Sequence, residues 1–142
     1  MLKAEDGLGE VWISGYDFAH NIEELNKNGI QAVCSGVDLS FKYPQNIKQQ
    51  KFDLDDRNSQ QVTHVFEPAF EFIEAERKRT NVLVHCAAGI SRCSMLLSSY
   101  MMRKYKLDLE SCLKIIKEAR PCCQPNMGFM KQLKAFEQDL GI

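Results

Sequence analysis

The feature that most constrains the fold of this chain is the segment from Val82 to Arg92, which reads VLVHCAAGISR. Its opening run is apolar and rich in β-branched residues, and a short run of this kind predicts a buried strand. The strand ends at Cys86, and the small residues around Gly89 predict a tight loop. Apolar residues from Met95 onward then predict a helix that begins near Arg92. The sequence therefore predicts a strand, a tight loop and a helix N-terminus in immediate succession.

A loop of this kind favours a particular chemistry. Successive backbone N–H groups point inward and form an anion-binding nest, and the helix dipole adds partial positive charge. The predicted anion-binding residues are Ala87, Ala88, Gly89, Ile90 and Ser91. The same field favours a thiolate, so we expect the pKa of Cys86 to fall below its ordinary value of about 8.5. A thiolate beside a phosphate cradle predicts phosphoryl transfer through a cysteinyl-phosphate, with Cys86 as the nucleophile.

Composition excludes several other classes of protein. With 142 residues the chain is expected to form one domain over residues 1–142. The net charge of −1 and the absence of a basic stripe argue against a nucleic acid partner. The apolar runs are too short to span a membrane, and the first twelve residues contain no apolar signal core. Six cysteines without such a signal predict a reducing compartment, the cytoplasm or also the nucleus.

Periodicity predicts strands alternating with helices in the first two thirds of the chain. The predicted strands are Glu10–Ile13, Ile30–Cys34, Lys51–Leu54 and Asn81–His85, and residues 41–49 are predicted to form a loop. A helix containing Phe18 and Leu25 should end at Asn28–Gly29. A longer helix should be capped by Asn58 or Ser59 and kinked or broken at Pro68.

The last third predicts helices alone. They are expected at Arg92–Lys104, then from a cap at Asp108 to Pro121, and finally at Asn126–Leu140. Strands alternating with helices, followed by helices only, indicate an α/β layered fold with a helical C-terminal half.

Three blocks of sequence resemble the dual-specificity protein phosphatases, a family of cysteine-dependent phosphatases. HCAAGISR resembles their signature loop, GLGEVWISGYDFAHNIEELNKNGIQAV their opening segment, and ARPCCQPNMGFMKQLKAFE their closing segment. The resemblance implies a central mixed, mostly parallel twisted sheet flanked by helices, with the nest at the carboxyl end of the Val82–His85 strand. It also implies hydrolysis of phosphate monoesters without a metal or cofactor. The short chain looks like the small atypical members.

Hydrolysis of this kind needs a general acid, because an alkoxide or phenolate is a poor leaving group. The resemblance implies an Asp in a loop about thirty residues before the Cys. Asp56, thirty residues before Cys86, is predicted for this role. Asp55 is the alternative, and Asp53 is expected to lie within the preceding strand.

Other residues are expected to support the site. The planar guanidinium of Arg92 can bind two phosphate oxygens at once and remain bound as the phosphorus becomes trigonal-bipyramidal. His85 is expected to bond to the backbone near Cys86 and hold the loop shape, and Ser91 to brace the loop or bond to the thiolate network. Asn126 is predicted either to cap the last helix or to tether the nest.

The position after the loop Arg departs from the family pattern. The resemblance implies Ser or Thr there, whose hydroxyl helps the thiolate leave, whereas this chain has Cys93. A thiol is a weaker donor, so the second chemical step is expected to be slower. Alternatively, Cys93 acts as a redox partner that forms a disulfide with an oxidised Cys86.

The composition of the loop also indicates which class of substrate it can bind. It contains no Lys to meet additional phosphates, and the chain is too short for an inserted segment that would deepen the site. Phosphoproteins carrying phosphoserine, phosphothreonine or phosphotyrosine are therefore the predicted substrates. Two alternatives remain: a phosphatase for phosphoinositides or RNA 5′-phosphates, and an adaptor that binds phosphoproteins with negligible turnover. The sequence contains no signal for an oligomeric state.

Overall fold

The structure is a computed structural model that describes residues 2–142. Its strands are β1 (Val11–Ser14), β2 (Ile30–Ser35), β3 (Lys48–Lys51) and β4 (Asn81–His85). Its helices are α1 (Tyr16–Ala19), α2 (Ile22–Lys27), α3 (Thr63–Arg77), α4 (Arg92–Tyr105), α5 (Leu109–Ala119) and α6 (Met127–Asp139). None of the helices described is long and apolar enough to cross a membrane.

The four strands form one sheet in the order β1-β4-β2-β3. Every neighbouring pair is parallel, which confirms the predicted α/β class. Within residues 2–142, antiparallel pairing is limited to isolated bridges, such as the one between Leu2 and Val11. Strand β4 lies inside the sheet and is paired on both sides, so its carboxyl end has a fixed position.

Side chains of β4 alternate between two apolar layers, as expected for a strand covered on both faces. Val82 and Val84 contribute to the larger core, which α3 to α6 cover, whereas Leu83 packs with Leu25 in the smaller core beside α1 and α2. All three β4 side chains are fully buried. Burial of one such aliphatic side chain contributes about 1.5–3 kcal/mol.

Helix α4 passes through the centre of the larger core. All residues from Cys93 to Met102 are buried, and a helix buried on every side is an interior helix. The strand before the Cys86 loop and the helix after it are therefore both interior elements.

The structure corrects the prediction around β3. The predicted strand Lys51–Leu54 lies instead at Lys48–Lys51, so residues 48 and 49 do not belong to the predicted loop. Asp53 consequently lies after the strand and not within it. Among residues 2–142 the strand pairs only with β2. It is built from polar residues, so its sequence has no alternation of apolar and polar residues.

The helix predictions need two further corrections. The helix predicted to contain Phe18 and Leu25 is two helices, because Asn21 starts α2 by accepting a hydrogen bond from the Glu24 N–H. Neither Asn58 nor Ser59 caps α3, whose first turn follows Val62 without a side-chain cap. Helix α3 runs unbroken through Pro68, so of the two expected effects of this proline the break is absent from the helix.

Candidate active site

The predicted strand, loop and helix unit is present at the carboxyl edge of the sheet. Ser14 of β1 and Ser35 of β2 both lie in register with His85, the last residue of β4. Cys86 leaves the sheet from the middle of this row, and α4 begins at Arg92. In open parallel sheets this edge is where ligands bind.

Backbone and side-chain donors outside the loop hold the carbonyl oxygens at its two ends. The Tyr16 N–H donates to the Ala87 carbonyl at 3.0 Å. The Ile90 carbonyl accepts from the Gln124 N–H at 2.9 Å and from the Ser94 hydroxyl at 2.7 Å. These carbonyls therefore face away from the centre of the loop, which leaves the N–H groups free to converge there.

Arg120 holds the middle of the loop. Its Nε donates to the Gly89 carbonyl at 2.7 Å, and its Nη2 donates to the Ala88 carbonyl at 3.3 Å. Gly89 has a φ of +73°, and a Cβ there would lie 2.5 Å from the Gly15 nitrogen. Only glycine fits this left-handed conformation and close approach. Arg120 and Gly15 thus form the outer support of the loop.

Cys86 lies at the base of the loop and is 1% exposed. The side chain of Cys93 is the main cause that lowers its pKa, to about 6, and N–H groups of Cys93, Gly89 and Ile90 lower it further. Together these hydrogen bonds outweigh burial, which raises the pKa of a thiol. The side chain is therefore mostly thiolate at neutral pH, as the sequence predicted.

Cys93 is one of three buried cysteines, with Cys86 and Cys123, whose side chains influence one another's pKa. The side chains of Cys123 and Cys86 are the main causes that, together with burial, hold the pKa of Cys93 well above its ordinary range. All three residues are essentially inaccessible. Cys93 therefore stays protonated next to the Cys86 thiolate and can donate its single proton to it.

Arg92 starts α4 with its guanidinium directed back toward the segment after β3. Its Nη1 donates to the Leu54 carbonyl at 2.9 Å. Its Nε is buried and has no hydrogen-bond partner among residues 2–142. A buried donor of this kind is rare unless a ligand or water satisfies it, so the guanidinium is suited to receive an anion.

His85 is a structural part of the loop base. Its Nδ1 lies 3.2 Å from the Cys86 carbonyl oxygen, and its Nε2 lies 2.6 Å from the Ser35 hydroxyl. Because a carbonyl only accepts, we assign the proton to Nδ1, and Nε2 then accepts from Ser35. Burial is the main cause that lowers the pKa of His85 to about 4. The imidazole is therefore neutral at physiological pH and holds the backbone at Cys86.

The two candidate acids have different surroundings. Asp55 is paired with Arg57 at 3.5 Å, and both side chains are about two-thirds exposed. Asp56 accepts a 2.9 Å hydrogen bond from the side chain of Asn126. The structure therefore connects Asp56, and not Asp55, to the helical part of the site.

Asn126 has both of the functions that the sequence left as alternatives. Its side-chain oxygen caps α6 by accepting from the Phe129 N–H at 2.8 Å. Its backbone N–H donates to the Ser91 hydroxyl at 2.9 Å, which ties it to the loop. Ser91 braces the loop through this contact.

Sequence reasoning missed two supporting residues. Arg120 was part of the quoted closing segment, but no local pattern assigns it to the loop carbonyls. Cys123 is in the same closing segment, and its sulfur lies 3.6 Å from the Gly89 carbonyl oxygen, while its side chain raises the pKa of Cys93. Both residues follow α5, and this segment returns to the loop only in the folded chain.

Comparisons with known proteins agree with this geometry. The family model described as "Dual specificity phosphatase, catalytic domain" matches residues 11–139. A probable dual specificity protein phosphatase of Dictyostelium discoideum is 32% identical over 143 residues, covering 92% of this chain and 62% of the relative. Human dual specificity protein phosphatase 22 is 32% identical over 132 residues, covering 92% of this chain and 72% of the relative.

Solved structures show the same similarity. The crystal structure of DUSP15 matches with a TM-score of 0.87 and 28% identity, covering 99% of this chain and 91% of that one. The first relatives found by sequence are longer: this chain spans 62%, 30% and 28% of the lengths of three Dictyostelium proteins.

Proposed function

Because the chain belongs to the dual specificity phosphatase family, we propose that it hydrolyses phosphate monoesters on serine, threonine and tyrosine of proteins through a cysteinyl-phosphate at Cys86. One observation carries the proposal. The Cys93 side chain is the main cause that lowers the pKa of Cys86, to about 6, and the N–H groups of Gly89 and Ile90, which lower it further, belong to the loop that would bind the phosphate. The same loop thus stabilises the Cys86 thiolate and would bind the phosphate that the thiolate attacks.

In the first step, the Cys86 sulfur attacks the phosphorus and the bond from phosphorus to the ester oxygen breaks. The loop N–H groups and the Arg92 guanidinium bind the three other phosphate oxygens, whose charge they stabilise most strongly in the transition state. Asp56, protonated in this step, transfers its proton to the leaving oxygen. The alcohol or phenol then departs, and Cys86 holds the phosphoryl group.

In the second step, water attacks the phosphorus and the bond to sulfur breaks. The Asp56 carboxylate accepts a proton from this water, which restores the acid for the next cycle. The sulfur leaves as a thiolate, and the Cys93 S–H stabilises it by donating a hydrogen bond. A thiol donates less strongly than a hydroxyl, so this step is the slower one in our proposal.

Phosphoproteins are the proposed substrates, and phosphoinositides or RNA 5′-phosphates are the alternatives. The absence of Lys from residues 87–91 supports the choice, since a basic loop would suit ligands with several phosphates. We also propose a signalling role in a reducing compartment, the cytoplasm or nucleus. All six cysteines are free thiols, which supports that location.

The test is phosphate release in the presence of a metal chelator. The substrates are one small aryl phosphate, matched peptides bearing phosphoserine, phosphothreonine or phosphotyrosine, a phosphoinositide and a 5′-triphosphorylated RNA. We expect release from the aryl phosphate and the peptides, and a phosphoenzyme on Cys86 after rapid acid quench. Binding of phosphopeptides without release would establish the adaptor alternative instead.

A further inference from the structure

The first turns of α6 contact the segment that carries the candidate acid, residues 55–62, which we call the acid loop. The Gln132 side chain accepts from the Val62 N–H at 2.7 Å and donates to the Gln60 carbonyl at 2.8 Å. The Gly128 N–H donates to the Asn58 side chain at 3.3 Å, and a Cβ on Gly128 would overlap the Asn58 backbone. Helix α6 therefore determines where the acid loop lies.

Asn126 is the point where three parts of the site meet. Its backbone N–H binds Ser91 of the phosphate loop, and its side-chain oxygen binds the Phe129 N–H of α6. Its side-chain nitrogen donates to Oδ1 of Asp56 at 2.9 Å. One residue thus connects the phosphate loop, the last helix and the candidate acid.

The helix cap fixes the orientation of this amide. A backbone N–H can only donate, so the Asn126 atom facing Phe129 must be the oxygen. The NH₂ group then necessarily faces Asp56. Because Oδ1 of Asp56 accepts from this NH₂ group, Oδ2 is the oxygen left to carry a transferable proton.

We propose that Asn126 is a positioning residue that holds the Asp56 carboxyl group beside the phosphate loop and selects the oxygen that donates the proton. This inference rests on the proposed function, because it assigns Asp56 the role of general acid. Asn126 touches neither the substrate nor the transferred proton, and its effect on the reaction passes entirely through Asp56.

Asn126→Ser separates this role from capping. Serine caps helices about as well as asparagine, but its side chain is too short to reach Asp56 from the capping position. Asp108→Ser is the matched control, since Asp108 caps α5 through the Ser111 N–H. Both variants exchange one good cap for another, and only the first removes a contact with the acid.

Two esters provide the readout. The quantity to measure is kcat/KM, which reports only the first step, because the second step is common to both esters. For a phosphoserine peptide, whose alkoxide needs a proton, we expect Asn126→Ser to lower kcat/KM about tenfold, the scale expected for a displaced catalytic group. For a dinitrophenyl phosphate, whose leaving group needs no proton, the change should stay within about twofold. In an Asp56→Ala background, adding Asn126→Ser should change neither rate. Asp108→Ser should behave like the wild type on both esters.

Equal losses on the two esters, no loss on either, or an additional loss in the Asp56→Ala background would each overturn the proposal. Hydrogen exchange supplies a test that does not depend on turnover. The N–H groups of Asp55 and Val62 are bonded within the acid loop or to α6, and Asn126→Ser should speed their exchange while leaving the centre of α6 unchanged. Unchanged exchange would also overturn the proposal, whereas a wild type that hydrolyses no ester would refute only the proposed function.

Discussion

The guanidinium of Arg120 donates from Nε to the carbonyl oxygen of Gly89 at 2.7 Å, across 31 residues of sequence. Its second nitrogen, Nη2, reaches the neighbouring Ala88 carbonyl. The fixed geometry of the guanidinium thus matches two consecutive peptide units. By holding these carbonyls outward, Arg120 keeps the adjoining N–H groups directed at the predicted phosphate site.

Arg120→Lys keeps the charge but loses the planar pair of donors. We expect kcat/KM to fall about ten- to a hundredfold, because displaced binding groups cost rate steeply. Arg103→Lys is the control. Arg103 lies at the opposite end of α4 from the loop, 4.0 Å over the Phe70 ring, and its replacement should leave kcat/KM within about twofold, since most surface changes are mild. Equal losses in the two variants would contradict a specific role for Arg120.

Replacing the nucleophile should separate binding from chemistry. Cys86→Ser is expected to abolish hydrolysis and keep phosphate binding, since backbone N–H groups and Arg92 make the cradle. Phosphate release and calorimetric titration with a phosphopeptide measure the two properties. Retained turnover in this variant would remove Cys86 as the nucleophile.

Asp56→Ala should lower kcat/KM for alkyl phosphates, which reports the first step only, by about 10²–10⁴, the usual contribution of a general acid. The loss should shrink for aryl esters with good leaving groups. Asp55→Ala is the neighbouring control, because Asp55 pairs in solvent with Arg57. If Asp55→Ala gives the larger and leaving-group-dependent loss, the acid is Asp55.

Ionisation of Cys86 should set the acidic limb of the pH profile. With a pKa of about 6, the reactive thiolate accumulates as pH rises through that value, so iodoacetamide alkylation should show a midpoint there. Cys93→Ala removes the main cause of the low pKa and should move the midpoint to higher pH. Cys93→Ser supplies a stronger donor and should keep the midpoint near or below 6. A midpoint unaffected by Cys93→Ala would show that the backbone alone stabilises the thiolate.

Contact between Cys86 and Cys93 also permits a redox test. Peroxide oxidises the thiolate to a sulfenic acid and releases hydroxide, and condensation of the sulfenic acid with the Cys93 thiol forms a disulfide and water. If this occurs, Cys93→Ser should lose the recovery of activity by dithiothreitol, and Cys34→Ser should retain it. If Cys93 is only a weak donor, Cys93→Ser should instead hydrolyse its phosphoenzyme faster, and no Cys86–Cys93 linked peptide should appear in mass spectra of the oxidised wild type.

The predictions that succeeded depend on neighbours in sequence. The strand before Cys86, the loop with Gly89 and the helix from Arg92 form a continuous segment, so local pattern and spacing are sufficient to predict them. The caps at Asp108 and Asn126 are local in the same sense, because each accepts a hydrogen bond from an N–H three residues ahead.

The failures depend on contacts between distant segments. Strand β3 has the sequence KQQK and pairs with β2. Because all four residues are polar, no alternation of apolar and polar residues predicts this strand. Asn58 has the chemistry of a helix cap, but its side chain instead accepts a hydrogen bond from the Gly128 N–H. Arg120 and Cys123 meet the phosphate loop only because α5 ends beside it. These contacts arise from tertiary packing, which residue spacing in the sequence does not predict.

The position of the phosphate loop between β4 and α4 has a consequence for how activity is lost. Both flanking elements are interior, and interior elements are the last to open in native-state fluctuations. We therefore expect this loop to become disordered only when the domain unfolds, unlike a binding loop carried on the surface. Anion binding by this loop should accordingly persist until the fold itself is lost.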